Sequence, residues 1–239
     1  MIPALLGWDY ARLDDELRKS FEVALHAGTA AALLLVLRGE LRDTLDVRRL
    51  GLVALSTAPP AIAGYALERP IERSLGTPAT IAAGLLAGAG VMAWADRAPQ
   101  TRSRAQAGTR DALCLGIAQA CALMPGVSRG GATLAAARLR RFRRPDASRL
   151  SREVGLPVIA GATLLRAIRL RREALPPGFT AAFAAGAAAA FAATLVSARL
   201  IQHVERDRSP APYALYRTGL AVLILRKLGR STRSRRMKR

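Results

Sequence analysis

The segment Met124-Pro-Gly-Val-Ser-Arg-Gly-Gly-Ala-Thr133 sets one arginine in a glycine-rich turn, directly after the uncharged run Ala112–Ser128. A charged side chain so far inside an apolar segment is costly, and it marks a site more often than a surface. Gly126, Gly130 and Gly131 permit backbone conformations closed to other residues. Successive amides in such a turn, continued by a helix N-terminus, form a cradle for an anion. A planar guanidinium fits phosphate oxygens. The chemistry expected here is phosphate recognition, with Arg129 as the clamp and Ser128, Gly126, Gly130, Gly131 and Thr133 around the anion. Plainer roles stand beside these. Arg129 could snorkel from a helix end, Ser128 could cap a helix, and the glycines could serve close helix packing. Ser128 as a nucleophile lacks an adjacent base.

The elements that must position this turn are apolar. Half of the 239 residues are hydrophobic, and uncharged windows recur at Val23–Leu37, Leu50–Leu67, Ser74–Ala95, Ala112–Ser128, Val154–Leu165, Ala174–Ala198 and Thr218–Leu225. A membrane-spanning helix needs about 20 apolar residues. Ser74–Ala95 and Ala174–Ala198 meet that, Leu50–Leu67 and Ala112–Ser128 are borderline, and Val154–Leu165 is too short without snorkelling arginines. A soluble helical bundle would show a polar stripe at helical spacing, and Ala181–Ala193 has none. The fold class expected is all-α: a polytopic integral membrane protein in one domain, residues 1–239, ending in a basic tail from Arg226. Pro59-Pro60 should kink or break the second apolar helix, and Gly84 and Gly88 suit close helix packing. Ala98–Asp111 reads as a polar connecting loop, and Asp9–Lys19 as an interfacial one. From Ala132 to Ala137 the chain is apolar, but Arg138, Arg140 and Arg141 come too soon for a crossing. A helix of Ala112–Met124 that turns at Pro125-Gly126 and leaves by the same side is therefore expected. Re-entrant hairpins of this kind, paired across inverted repeats, are one way to build a midplane site.

The net charge of +20 raises the question of nucleic acid. The arginines, however, cluster at the ends of apolar runs and in the tail, as expected for loops facing anionic lipid. Aromatic residues do not interleave with the basic runs, so a base-stacking surface is not expected. Cys114 and Cys121 lie two turns apart on one expected helix, about 10 Å along its axis, and read as two buried thiols that do not bridge each other. Met1–Gly7 does not read as a cleavable signal peptide. Other residues could support a site. His26 and Glu22 sit on an apolar helix, where His26 more simply makes a structural hydrogen bond. Gln119 is expected to bond across a helix interface, and Arg217 either supports the site or anchors at the lipid boundary. Glu68 and Glu72 read as ion-paired and His203 as solvated.

Gly116-Ile-Ala-Gln-Ala-Cys-Ala-Leu-Met-Pro-Gly-Val-Ser-Arg-Gly-Gly-Ala-Thr133 resembles the signature of the undecaprenyl-diphosphatase family, also called bacitracin-resistance proteins. Phe21–Thr29, Ala58–Gly64, the stretch Ser128–Pro157 and Tyr213-Ala-Leu-Tyr-Arg217 are similar to further family segments, so the resemblance covers nearly the whole chain. It implies a bacterial plasma-membrane phosphatase that converts undecaprenyl diphosphate to undecaprenyl phosphate, the lipid carrier of wall synthesis. It also implies a divalent cation, Mg²⁺ or Ca²⁺. The partners expected are undecaprenyl diphosphate, membrane lipids and a second copy of the chain in a homodimer, with no nucleic acid. Two departures stand out. Position 130 is glycine where the family pattern has serine. The family's glutamate-bearing first helix and its Ser-Ser-Thr-Gly-His turn, which supply the cation's carboxylates, have no counterpart here. Met1–Trp8 resembles the family's stretch immediately after that turn, so the expectation is a start assigned too late, with a truncated gene as the alternative. Alternative functions are a polyprenyl-phosphate binding or transport protein of the same fold, and a non-enzymatic membrane scaffold.

Overall fold

The computed structural model describes residues 15–36, 38–39, 46–171, 180–204 and 209–236. Among these the chain is helical with no strand: α1 Asp15–Val36, α2 Val47–Leu75, α3 Pro78–Ala95, α4 Thr109–Cys121, α5 Arg129–Leu139, α6 Arg144–Arg171, α7 Thr180–Val204 and α8 Ala211–Arg236. Three helices carry stretches long and apolar enough to cross a membrane: Val47–Leu67, Pro78–Ala95 and Thr180–Ala198. This is an all-α membrane protein, as the sequence pattern implies. Several boundaries differ from expectation. The window Ser74–Ala95 is split, because Gly76 ends α2 and Thr77 caps a new helix, accepting from the Thr80 amide at 3.2 Å with Pro78 in the first turn. The expected loop Asp9–Lys19 is already helical from Asp15, and the basic tail continues α8 to Arg236. Met1–Trp8 and the side chains of Glu68, Glu72 and His203 lie outside the described residues.

The chain divides into two compact units, residues 1–45 with 156–206 and residues 46–155 with 207–239. In the first, α1 packs along α7. Gly28 lets the helices meet, since a Cβ there would overlap the Ala187 carbonyl. Phe21 lies over Gly186 and meets Phe183 edge to face, 5.7 Å between centroids. His26 donates through Nδ1 to the Glu22 carbonyl at 2.6 Å, one turn back on α1, which is the structural bond expected of it.

The second unit holds α2, α3, α4, α5, α8 and the first half of α6. Pro59 and Pro60 do not break α2; the helix runs through both. Pro60 has no N–H for the Ser56 carbonyl one turn back. Gln119 of α4 supplies it instead, its Nε2 donating to Ser56 O at 3.1 Å. Gly116 allows the approach, as a Cβ there would sit 2.8 Å from the Pro59 ring. The cross-helix bond expected of Gln119 thus has a specific purpose, which is to replace a donor that proline removed. Cys121, expected to be buried, is exposed at the end of α4; Cys114 is half-buried and both are free thiols.

Ala98–Asp111 is more than a connector. It contains a short 3₁₀ turn at Arg104–Gln106 and is knitted to the segment between α5 and α6. Asp111, in the first turn of α4, accepts two bonds from Arg102 at 2.9 and 2.7 Å, one from Arg140 at 2.7 Å and one from the Gly108 amide at 3.0 Å. Arg102 also stacks on Phe142, 4.3 Å from the ring centroid. Asp96, just past α3, is held by both arms of Arg144 at 2.8 and 2.9 Å and by Ser209 at 2.6 Å. Buried Arg138 donates through its two terminal nitrogens to the carbonyls of Asp96, Ala98 and Phe142. Together these bonds tie α3, α4, α5, α6 and α8 at one end of the unit.

Burial raises the Asp111 pKa, but the bonds from Arg102, Arg140 and Gly108 outweigh it and bring the carboxyl down to about 2. Its folded value lies below its unfolded one, so the stabilisation is complete above about pH 4 and is lost as pH falls through about 2. Asp111→Asn should therefore lower stability by about 2 kcal/mol at neutral pH, with the deficit vanishing toward pH 2. Thermal unfolding in detergent across that range checks both parts; a pH-independent deficit contradicts the assignment.

Candidate functional site

The helix α4 ends at Cys121, and α5 begins at Arg129 and packs back against α4. Their lengths, roughly 20 and 16 Å at 1.5 Å per residue, are too short for either to cross a bilayer. This is the entering-and-returning pair that the spacing of Arg138 predicts. Between them Pro125 and Gly126 occupy the centre of a tight turn closed by the Val127 amide donating to the Met124 carbonyl at 3.0 Å. Gly126 has φ +90°, which a side chain would strain.

The helix α3 forms the seat for this turn. Ile81, Gly84, Gly88 and Met92 share one of its faces. A Cβ on Gly84 would overlap the Pro125 carbonyl, and one on Gly126 would overlap the Ile81 carbonyl. A Cβ on Gly131 would meet Met92 Sδ at 2.7 Å. Gly88 clears room for Arg217 of α8, whose guanidinium would lie 3.0 Å from a Cβ there and donates to the Gly126 carbonyl. Measured back along α3 from Ala95, Gly84 and Ile81 are about 16 and 21 Å away, matching the lengths of α4 and α5. The turn therefore lies more than halfway across the thickness that α3 spans.

Ser128 caps α5, its Oγ accepting from the Gly131 amide at 3.2 Å, while its carbonyl accepts from Ala132 at 2.8 Å. The cap satisfies one of the orphan amides of the helix start and leaves those of Arg129 and Gly130 without an acceptor among the described residues. Gly130 is exposed, and a Cβ there would meet nothing within 4 Å. Arg129 donates through one terminal nitrogen to the Gly155 carbonyl of α6. It has no carboxylate partner among the described residues, so its remaining donors are uncommitted. Two open amides, one open glycine and one anchored guanidinium make the helix start a candidate anion site.

The structure sorts the expected residues. Arg129, Ser128 and Gly130 come together at the start of α5, and Arg217 reaches the turn from α8. Gly126 and Gly131 serve close packing against α3 rather than an open cradle. Thr133 is fully buried and its hydroxyl is committed: it donates to the Arg129 carbonyl at 2.9 Å and lies 2.5 Å from Ser151 Oγ. It faces α6, not the open amides. Gln119 belongs to the α2–α4 interface, and Glu22 and His26 belong to the other unit. Sequence reasoning missed Ser151 and Gly155, the seat on α6 for Thr133 and Arg129. Their signal is the run of small residues Ser148, Ser151 and Gly155 at helical spacing, hidden between Arg149, Arg152 and Glu153. Among the described residues no three His, Cys, Asp or Glu side chains gather as metal ligands. Asp96 and Asp111 are consumed by arginines, so these residues do not fit a divalent cation.

A family profile described as "Bacitracin resistance protein BacA" matches residues 1–223. The chain belongs to this family. Its relatives include the undecaprenyl-diphosphatase of Geobacter sulfurreducens, 34% identical over 93% of this chain and 87% of the relative. Those of Pelotomaculum thermopropionicum and Thermomicrobium roseum are 32% and 33% identical, each over 94% of this chain and covering 86% and 87% of the relative. The candidate site of this BacA-family chain is a short-helix turn seated on α3.

Because Gly126 combines positive φ with contact against Ile81, Gly126→Ala should lower stability by about 2–3 kcal/mol. Gly130→Ser, which restores the hydroxyl of the family pattern in open space, should stay within about 0.5 kcal/mol. Unfolding of the two variants in the same detergent separates a packing glycine from an open one.

Proposed function

We propose that this protein is an undecaprenyl-diphosphate phosphatase of the bacterial plasma membrane, crossing it several times and recycling the carrier lipid of wall synthesis. Family membership and relatives named undecaprenyl-diphosphatase over most of the chain support the activity. The single observation that carries the mechanism is the start of α5, where two amides and a guanidinium without a carboxylate partner converge. A polyprenyl diphosphate would lie with its tail among lipids and its terminal phosphate at this turn.

Hydrolysis breaks the bond between the β-phosphorus and the bridging oxygen. Water adds its oxygen to that phosphorus, and the bridging oxygen leaves on undecaprenyl phosphate, so the products are the monophosphate lipid and inorganic phosphate. Charge grows on the bridging and equatorial oxygens as the bond breaks, and fixed donors aimed at them lower the barrier. Arg129 is the proposed clamp. Its anchor on the Gly155 carbonyl holds the guanidinium in place, so little ordering remains when the substrate arrives. The Arg129 and Gly130 amides are proposed to hold the terminal phosphate, and the Ser128 hydroxyl, accepting from Gly131 through its oxygen, keeps its proton free to donate. Arg217 is proposed to position the turn through Gly126. No step in this scheme runs through a metal; the described residues supply no ligand set for one.

The test is phosphate release from undecaprenyl diphosphate by the purified full chain in detergent. Arg129→Ala should reduce turnover about 10²–10³-fold, and Arg129→Lys should recover part of it, since charge returns without the planar fork. Ser128→Ala should act mainly through the lost cap, near 1 kcal/mol of stability, with much smaller loss of rate. Unchanged turnover in Arg129→Ala removes the arginine from the chemistry. Substrate binding without turnover in the unsubstituted chain would instead mark a binding protein of the same fold.

A further inference from the structure

At the end of the second unit where α2 begins, a cavity of about 150 Å³ opens between the first turns of α2 and α4, the Arg104–Ala107 segment and α6. At about 30 Å³ per water, it has room for roughly five. Leu52, Leu115, Leu150 and Val154 form an apolar floor, and Arg48, Arg49 and Arg104 line the mouth. Arg49 and Arg104 both pair with Glu153, which is 4% exposed and lies 3.3 Å from Arg49. Arg48 donates only to the Ala107 carbonyl, at 3.3 Å, and has no carboxylate partner among the described residues. The acids facing the cavity are Asp46 on its exposed rim, Glu153, and Asp111, which Arg102 and Arg140 already neutralise. Of the three guanidiniums that line the cavity, Arg49 and Arg104 are engaged by Glu153, and Arg48 is the one without an ion pair among the described residues.

The level of this pocket says which anion would reach it. The apolar stretch of α2 starts at Val47 and that of α3 ends at Ala95. Trp94, 62% exposed one residue before that end, and Tyr65, 94% exposed about 27 Å along α2 from Val47, stand where interfacial aromatics belong at the two faces of a bilayer. Arg48 and Arg104 are therefore at headgroup depth, on the face where α4 enters and α5 returns. An apolar floor beneath a basic mouth at that depth suits a lipid phosphate, with glycerol and first methylenes below the guanidiniums. We infer that this pocket binds the phosphate of an anionic lipid headgroup. Its residues are separate from the start of α5, so it stands or falls independently of the phosphatase reading.

The test uses the full chain in phosphatidylcholine nanodiscs containing a trace of fluorescent phosphatidylglycerol, with binding read by energy transfer from the tryptophans. Phosphatidylglycerol should bind in preference to a phosphatidylcholine analogue. Arg48→Gln, an exposed position without an ion pair, should weaken that binding about 5-fold. Asp46→Asn should strengthen it, a change of opposite sign that misfolding would not produce. Phosphate release from the polyprenyl diphosphate should be unchanged in Arg48→Gln. Equal binding of the two lipids, or binding indifferent to Arg48, overturns the inference. So does inorganic phosphate occupying the site in an Arg48-dependent way without any lipid preference, which would assign it to a soluble anion.

Discussion

Backbone polar groups freed inside an apolar environment must find partners within the protein, and most of the second unit answers to that demand. Ending α4 at mid-depth, turning, and starting α5 opens amides and carbonyls inside an otherwise apolar layer. Several are met by particular residues. Ser128 takes the Gly131 amide, Arg217 gives to the Gly126 carbonyl, Gln119 replaces the donor that Pro60 lacks, and Thr133 returns to the Arg129 carbonyl. The amides left open, those of Arg129 and Gly130, lie on the one side where a Cβ meets nothing. The candidate site lies where these bonds leave two amides open.

Glycine does two different things here. At 84, 116 and 126 it lets helix backbones approach closely, and at 88 and 131 it leaves room for the side chains of Arg217 and Met92. At 130 it leaves space. The resemblance places serine there in relatives, and open surroundings explain why either residue fits. At the other end of the unit, buried Arg138 and the Asp96 and Asp111 ion pairs hold the helix ends together, so the depth of the turn is set from both sides: by the α3 seat at its tip and by the charged knot at its base.

Much of this is legible in the sequence. The uncharged runs locate the long helices, and Pro125-Gly126 before an early return of arginine implies a short helix pair. Other features depend on neighbours distant in the chain. That Gly131 packs while Gly130 does not is due to Met92, which nothing in the local pattern points to. Thr133 looks like a phosphate ligand because it lies one turn into α5, yet that spacing turns it toward Ser151. The polar stretch Ala98–Asp111 looks like a solvated connector because two of the partners that knit it in, Arg140 for Asp111 and Glu153 for Arg104, lie well downstream. Gly155 carries no chemistry of its own; its carbonyl matters only because Arg129 ends there.

The central claim is that the start of α5 receives the terminal phosphate. An experimental structure of the full chain with a non-hydrolysable polyprenyl methylenediphosphonate tests it most directly. The account predicts a phosphate oxygen about 3 Å from the Gly130 amide and within hydrogen-bond reach of Arg129, with the Arg129–Gly155 bond retained. A diphosphonate held elsewhere, with the Arg129 and Gly130 amides still empty, would contradict it.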